Sequence, residues 1–124
     1  MATHDAPIGR LLDALTDIEA AVADNVERNR QLQRRAHHLR RRLQAGESLV
    51  ELIEAEDTPR MVELISTNMA TLETAGAEFR AAEALALRAE GLTIETIAAL
   101  FSVTRQRISA LLKQKTAVQT DPEP

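Results

Sequence analysis

The stretch that decides the fold of the C-terminal part reads Leu-Thr-Ile-Glu-Thr-Ile-Ala-Ala-Leu-Phe-Ser-Val-Thr-Arg-Gln-Arg-Ile-Ser-Ala-Leu-Leu-Lys-Gln-Lys, residues 92–115. Thr93 and Thr104 each precede an apolar-periodic run, and threonine hydroxyls cap helix N-termini at such positions. Gly91 follows the preceding helical run, where glycine ends helices. The spacing therefore predicts three helices over residues 78–115, with a short middle helix and a three-residue turn before the last one.

The apolar residues of this stretch fall where its second and third helices must pack, at Ile97, Ala98, Val103, Ile108, Leu111 and Leu112. The phrase Ile-Ala-x-x-Phe-x-Val-Thr-Arg-Gln-Arg-Ile-Ser, residues 97–109, resembles the helix-turn-helix domains of bacterial regulators. It looks most like sigma-factor region 4 and resolvase-type tri-helical units, and the resemblance covers residues 78–115. One departure is Ser102, because these families usually place a glycine with positive φ there; serine costs on the order of 1 kcal/mol. The alternative is a plain helical hairpin with a basic last helix.

The resemblance implies a recognition helix over residues 105–114 that enters the major groove of DNA. Arginine reads guanine and glutamine reads adenine, whereas threonines at helix N-termini hold phosphates. Arg105 leads the candidates for a base contact, because successive helical residues diverge by about 100° and not all of the first turn can face the bases. The expected DNA-binding residues are Thr93, Thr104, Arg105, Gln106, Arg107, Ser109 and Lys113.

The N-terminal arm carries an apolar heptad that begins at Ile8 and continues to Gly46, where glycine is expected to end the helix. Such a stripe is typical of a coiled coil and cannot be buried by one rod alone, so we predict an oligomerisation arm over residues 1–57. Extra apolar residues in its first half also fit a bundle of three or four helices. The predicted seam is Leu11, Leu15, Ile18, Val22, Asn25, Asn29, Leu32, Leu39 and Leu43. Its two asparagines either set the register and oligomer state or mark a hydrated seam.

Charge is strongly segregated along the chain, although the net charge is only −4. Seven arginines lie between residues 28 and 42, and an acidic region follows them. We name Arg28, Arg30, Arg34, Arg35, Arg40, Arg41 and Arg42 the Arg block. We expect it to face the acidic segment 47–63, an antiparallel partner helix, or phosphates; the alternative is a solvated or ion-paired helix face.

The middle of the chain carries its own helix signals. Ser48 and Glu51 form a capping-box pattern that opens a short helix over 49–56. Thr58 and Pro59 then predict the N-cap and first residue of the next helix. That helix keeps heptad spacing through Val62, Ile65, Met69, Leu72 and Phe79, with a weak point at residues 74–77 where it is expected to bend or break.

The amino-acid composition indicates the fold class and excludes several kinds of chemistry. The chain has 124 residues, no cysteine, no tryptophan or tyrosine, and four glycines, which favours an all-α protein and excludes disulfides and thiol chemistry. No apolar run is long enough to span a bilayer. No nucleophile–base pair, metal cluster or glycine-rich phosphate loop is present, so we expect neither an enzyme nor a cofactor. The expected location is cytoplasmic and nucleoid-associated.

The predicted architecture is a long N-terminal coiled-coil helix (1–57), a helical segment that ends in the helix-turn-helix unit (58–115), and a disordered tail (116–124). The function this favours is sequence-specific double-stranded DNA binding by a homodimer or higher oligomer that regulates transcription. The alternative is a coiled-coil interaction module, whose arm binds another protein and whose helix-turn-helix contacts a transcription or replication partner.

Overall fold

The computed structural model describes residues 6–120, with side chains described as far as Lys113. The all-α prediction is confirmed, because these residues contain no strand. They form α1 (Pro7–Gln44), α2 (Leu49–Glu54), α3 (Met61–Ala89), α4 (Ile94–Phe101) and α5 (Arg105–Thr120). None of these helices is long and apolar enough to cross a membrane. Because α5 continues to Thr120, residues 116–120 are helical rather than part of a disordered tail; residues 121–124 lie outside the described part.

Local signals fix most helix ends. The Ser48 hydroxyl accepts a hydrogen bond from the Glu51 amide, as the capping-box pattern predicts. Gly46 and Gly91 have φ values of 90° and 105°, and each ends a helix in a left-handed conformation that glycine adopts without steric cost. After each, the next amide bonds back to a carbonyl five residues earlier, from Glu47 to Arg42 at 3.1 Å and from Leu92 to Leu87 at 3.1 Å.

The start of α3 differs from the prediction. The helix begins at Met61 rather than at Pro59, and its first amides are bound by carboxylates instead of by Thr58. Glu63 Oε1 accepts from the Arg60 amide at 2.6 Å, and Glu56 Oε2 accepts from the Met61 amide at 2.8 Å. The predicted break at residues 74–77 is also absent from the described chain, since α3 runs without interruption to Ala89.

The chain divides into two compact units that are not consecutive stretches of sequence, unlike the predicted domains. One unit comprises residues 20–73, and the other comprises residues 1–19 with 74–124. Helices α1 and α3 each pass through both units.

In the unit of residues 20–73, α1 and α3 run antiparallel and are joined by a polar network around Asn68. Arg28 Nε donates to Asn68 Oδ1 at 2.6 Å, and Asn68 Nδ2 donates to Asn29 Oδ1 at 2.7 Å. Asn25 Nδ2 donates to the Asn68 carbonyl at 3.1 Å. The two asparagines that the sequence places in an intermolecular seam therefore bind a helix of their own chain.

The burial of side chains along α1 shows which face of this helix meets α3. In this unit Ala21 is buried, whereas Asn25, Leu32 and Leu39 are half-buried and Val22 is exposed. Ala21 is one heptad before Arg28, on the face that meets α3. Of the remaining predicted seam residues, Leu11 and Ile18 are half-buried, and Leu15, Asn29 and Leu43 are exposed.

The Arg block is partly neutralised inside this unit. Arg42 forms a two-bond pair with Glu47, and the guanidinium lowers the pKa of the Glu47 carboxyl below its usual value through that hydrogen bond. Arg35 lies 4.0 Å from Glu56 and donates to the Pro59 carbonyl at 2.5 Å. Glu47 and Glu56, which pair with two arginines of the Arg block, thus both belong to the acidic segment 47–63. Within residues 6–113, ion pairs do not involve Arg34, Arg40 and Arg41.

Candidate nucleic-acid interface

The C-terminal helices are organised by one apolar core in the unit of residues 1–19 and 74–124. Ile97 and Ile108 are completely buried, which makes them the central contact between α4 and α5. Alanines at 81 and 84 of α3 and at 98 of α4 are small enough to let the helix backbones approach closely. The core is completed by Leu111 and, less buried, by Leu87, Leu92, Ile94, Phe101 and Leu112.

The turn between α4 and α5 is held in a left-handed conformation at Ser102. This residue has φ 59° and ψ 43°, and it is the one non-glycine residue with positive φ among those described. The Val103 amide bonds the Ala98 carbonyl at 3.0 Å, which closes the end of α4 around the turn. Val103 is 40% exposed, so its predicted role as an apolar plug of the turn is only partly realised.

Both predicted threonine caps are present. The Thr93 hydroxyl accepts from the Thr96 amide at 3.1 Å, and the Thr104 hydroxyl accepts from the Arg107 amide at 3.1 Å. In the Thr104 cap the hydroxyl oxygen is the acceptor, so its proton remains able to donate to a phosphate oxygen. These caps fix where α4 and α5 begin and therefore which residues occupy their first turns.

The exposed face of α5 is defined by the side it buries. Ile108 and Leu111 point into the core, and a rotation of about 100° per residue places Gln106, Ser109 and Lys113 on the opposite side. All three are exposed. The structure thus brings these three predicted DNA-binding residues onto one outward surface.

Arg105 and Arg107 lie on the two flanks of that surface. Arg105 Nη1 is 3.6 Å from Glu95 Oε2 in the first turn of α4, and both side chains are largely exposed. Arg107 borders a shallow hollow that is also lined by Arg80 and Glu83 of α3. Such exposed ion pairs contribute only about 0–1 kcal/mol, so Arg105 is readily available to another anion.

Glu95 is the residue that the sequence analysis missed. Its carboxylate lies beside the basic start of α5 and reduces the positive potential there. The sequence does contain a signal for Glu95: it stands two residues after the N-cap Thr93, and acidic residues are favoured in the first turn of a helix. A helix dipole thus explains its presence in α4, and the short turn brings it to Arg105.

The chain was compared with known protein families, with curated proteins and with solved structures, and no match was found in any of the three.

Proposed function

We propose that this chain is a sequence-specific double-stranded DNA-binding protein that regulates transcription as a dimer. The observation that carries the proposal is the outward surface of α5, where Gln106, Ser109 and Lys113 stand opposite a core shared with α3 and α4. A polar helix face supported by α3 and by the short, capped α4 matches what a helix needs to read base edges in a major groove.

The roles follow from position on that surface. Gln106 is central and suits a bidentate contact to adenine, whereas Arg105 and Arg107 lie at the edges, where they reach a guanine or the phosphate backbone. Lys113 adds charge one to two turns further along the same face. Thr93 and Thr104 sit at helix N-termini, whose amide dipoles favour phosphate.

The decisive experiment is selection of bound duplexes from a random pool by the full-length chain, followed by affinity measurements on the selected site. Gln106→Ala is expected to weaken binding to that site by about 1–3 kcal/mol, or roughly 5- to 150-fold, with a smaller effect on random DNA. Arg105→Ala and Arg107→Ala should each weaken binding and reduce the salt slope by about one. Arg41→Ala is the control, because Arg41 is an exposed arginine outside this surface.

If all three variants fold by circular dichroism and keep wild-type affinity and selectivity, the assignment of the recognition surface is wrong.

The second candidate is a protein-interaction module, and Glu95 favours it. A carboxylate 3.6 Å from Arg105 weakens the field that phosphates would meet and suits a partner that carries both signs of charge. The two functions differ in the dependence of duplex affinity on salt. DNA binding requires log affinity to fall steeply with log salt, whereas a slope near zero favours the interaction module.

A further inference from the structure

The unit of residues 20–73 carries an apolar face that the described residues leave exposed. On α3, Val62 and Met69 are both 67% exposed. Ile65 lies between them and Leu72 follows Met69, and both are also exposed at heptad spacing. On α1, Val22 and Val26 are also exposed. We name these six residues the unpartnered face: Val22, Val26, Val62, Ile65, Met69 and Leu72.

Both rows lie on the same side of the helix pair. On α1 the residues that bond α3 are Asn25, Arg28 and Asn29. Their partners on α3 are Asn68 and Thr71. Successive residues are rotated by about 100° around a helix axis. Viewed along each helix from its N-terminus, the exposed row is therefore rotated in the same direction away from the residues that bond the other helix. Because the two helices are antiparallel, the same direction of rotation places the exposed row of α1 and the exposed row of α3 on one common surface. The pair is therefore apolar along one side, as is each half of a four-helix bundle.

We propose that a second copy of this chain covers the unpartnered face, so that two helix pairs form a four-helix bundle. The proposal rests on the dimer of the proposed function and identifies its interface. The six side chains expose an apolar area on the order of 500 Å², at the upper end of what monomers leave in water. Together with the polar residues around the unpartnered face, this area approaches the ~800 Å² that each partner buries in a standard interface.

The borders of the face also fit a second copy. Arg30 and Arg40 border the α1 row, whereas Glu73 borders the α3 row. If α1 of one copy lies over α3 of the other, these opposite charges flank the apolar centre on both sides. The two-fold symmetry makes every contact occur twice, which is the usual form of a self-complementary interface.

The test is sedimentation velocity on the full-length chain without DNA, over a wide concentration range. The wild type should be a dimer, and Met69→Lys should raise the dissociation constant about 100-fold or more, since an uncompensated charge enters the apolar centre twice. Ala70→Lys is the matched control: it adds the same charge one residue further along α3, on the far side of the helix, and should leave the dimer intact.

A second pair of variants guards against misfolding. Val62→Lys should dissociate the dimer as Met69→Lys does, whereas Thr67→Lys should not, and circular dichroism should show equal helix content in all four. A wild-type monomer would overturn the proposal, and so would a dimer that both Met69→Lys and Val62→Lys leave intact. Loss of DNA binding by the Gln106 and arginine variants bears only on the proposed function, because sedimentation is measured without DNA.

Discussion

The substitution Asn68→Ala removes the centre of the polar network between α1 and α3. In the wild type, the Asn68 side chain accepts from Arg28 Nε at 2.6 Å and donates to Asn29 Oδ1 at 2.7 Å. The substitution deletes both bonds but leaves the bond from Asn25 to the backbone carbonyl of residue 68 in place. It therefore tests how much the Asn68 side chain contributes to the pairing of α1 with α3, while the backbone bond between the two helices remains.

The expected loss can be worked from the two bonds. A hydrogen bond to a charged group contributes about 1.5–3 kcal/mol, and a neutral one contributes about 0.5–1.5 kcal/mol. The Arg28 side chain is only 17% exposed, so water replaces the lost acceptor poorly, whereas Asn29 is exposed and recovers its bond from solvent. The bond from Arg28 therefore dominates the loss, which gives a destabilisation of about 2 kcal/mol. That is a large share of the stability of a small domain.

Urea unfolding at a fixed protein concentration measures this loss, since association with a second copy would otherwise shift the apparent stability. Thr67→Ala is the control, because Thr67 is an exposed neighbour on α3 and its replacement gives a similar gain in helix propensity. The double variant Arg28→Met with Asn68→Leu should recover part of the loss, as no buried donor then lacks an acceptor. A difference below about 0.5 kcal/mol between Asn68→Ala and Thr67→Ala would refute the network as the source of helix pairing.

Three further changes test the C-terminal helices by thermal or urea unfolding. Ser102→Gly should stabilise the chain by about 0.5–1 kcal/mol, because glycine adopts the positive φ without steric cost; unchanged stability would contradict the strain assigned to the turn. Ile108→Ala should destabilise by about 2–4 kcal/mol because Ile108 is completely buried, whereas Ser109→Ala on the outward face should change little. Thr104→Ala should cost about 0.5–2 kcal/mol by removing the cap of α5, and a stability as high as that of Thr67→Ala would argue against the cap.

The features that the sequence predicted well depend on neighbouring residues alone. Ser48, Thr93 and Thr104 cap helices through bonds to amides three residues ahead, and Gly46 and Gly91 end helices through their own backbone freedom. A capping bond needs only the correct residue type at the correct spacing, so a single sequence contains the information. The positive φ of Ser102, by contrast, was expected only from the resemblance to helix-turn-helix domains, which usually place a glycine at that position.

The start of α3 was mispredicted because two kinds of cap compete there. Thr58 and Pro59 carry a strong N-terminal signal, yet Glu56 and Glu63 supply carboxylates that bind the amides of Met61 and Arg60. A charged acceptor forms a stronger hydrogen bond than a hydroxyl. The position of Glu56 depends on how α2 leads into the turn, which the spacing of residues does not reveal.

The heptad of α1 shows a deeper limit of sequence reasoning. Its spacing requires an antiparallel or parallel helix against the apolar stripe, but it does not state whose helix that is. The bonds of Asn25 and Asn29 to Asn68 supply the answer for residues 20–73, where α3 of the same chain takes one side of the stripe. Beside this contact Val22 and Val26 stay exposed, so the stripe is wider than one neighbouring helix covers.

The ranking of the candidate DNA contacts changes for a similar reason. The sequence places Arg105, Gln106 and Arg107 together in the first turn of α5, and charge alone favours the arginines. The direction of each side chain, however, is set by which residues of α5 enter the core, and complete burial of Ile108 fixes that direction. Gln106 then points away from the core, while Glu95 holds Arg105 to one flank. For the proposed DNA-binding function we therefore expect base discrimination to be centred on Gln106, with the arginines acting mainly on affinity.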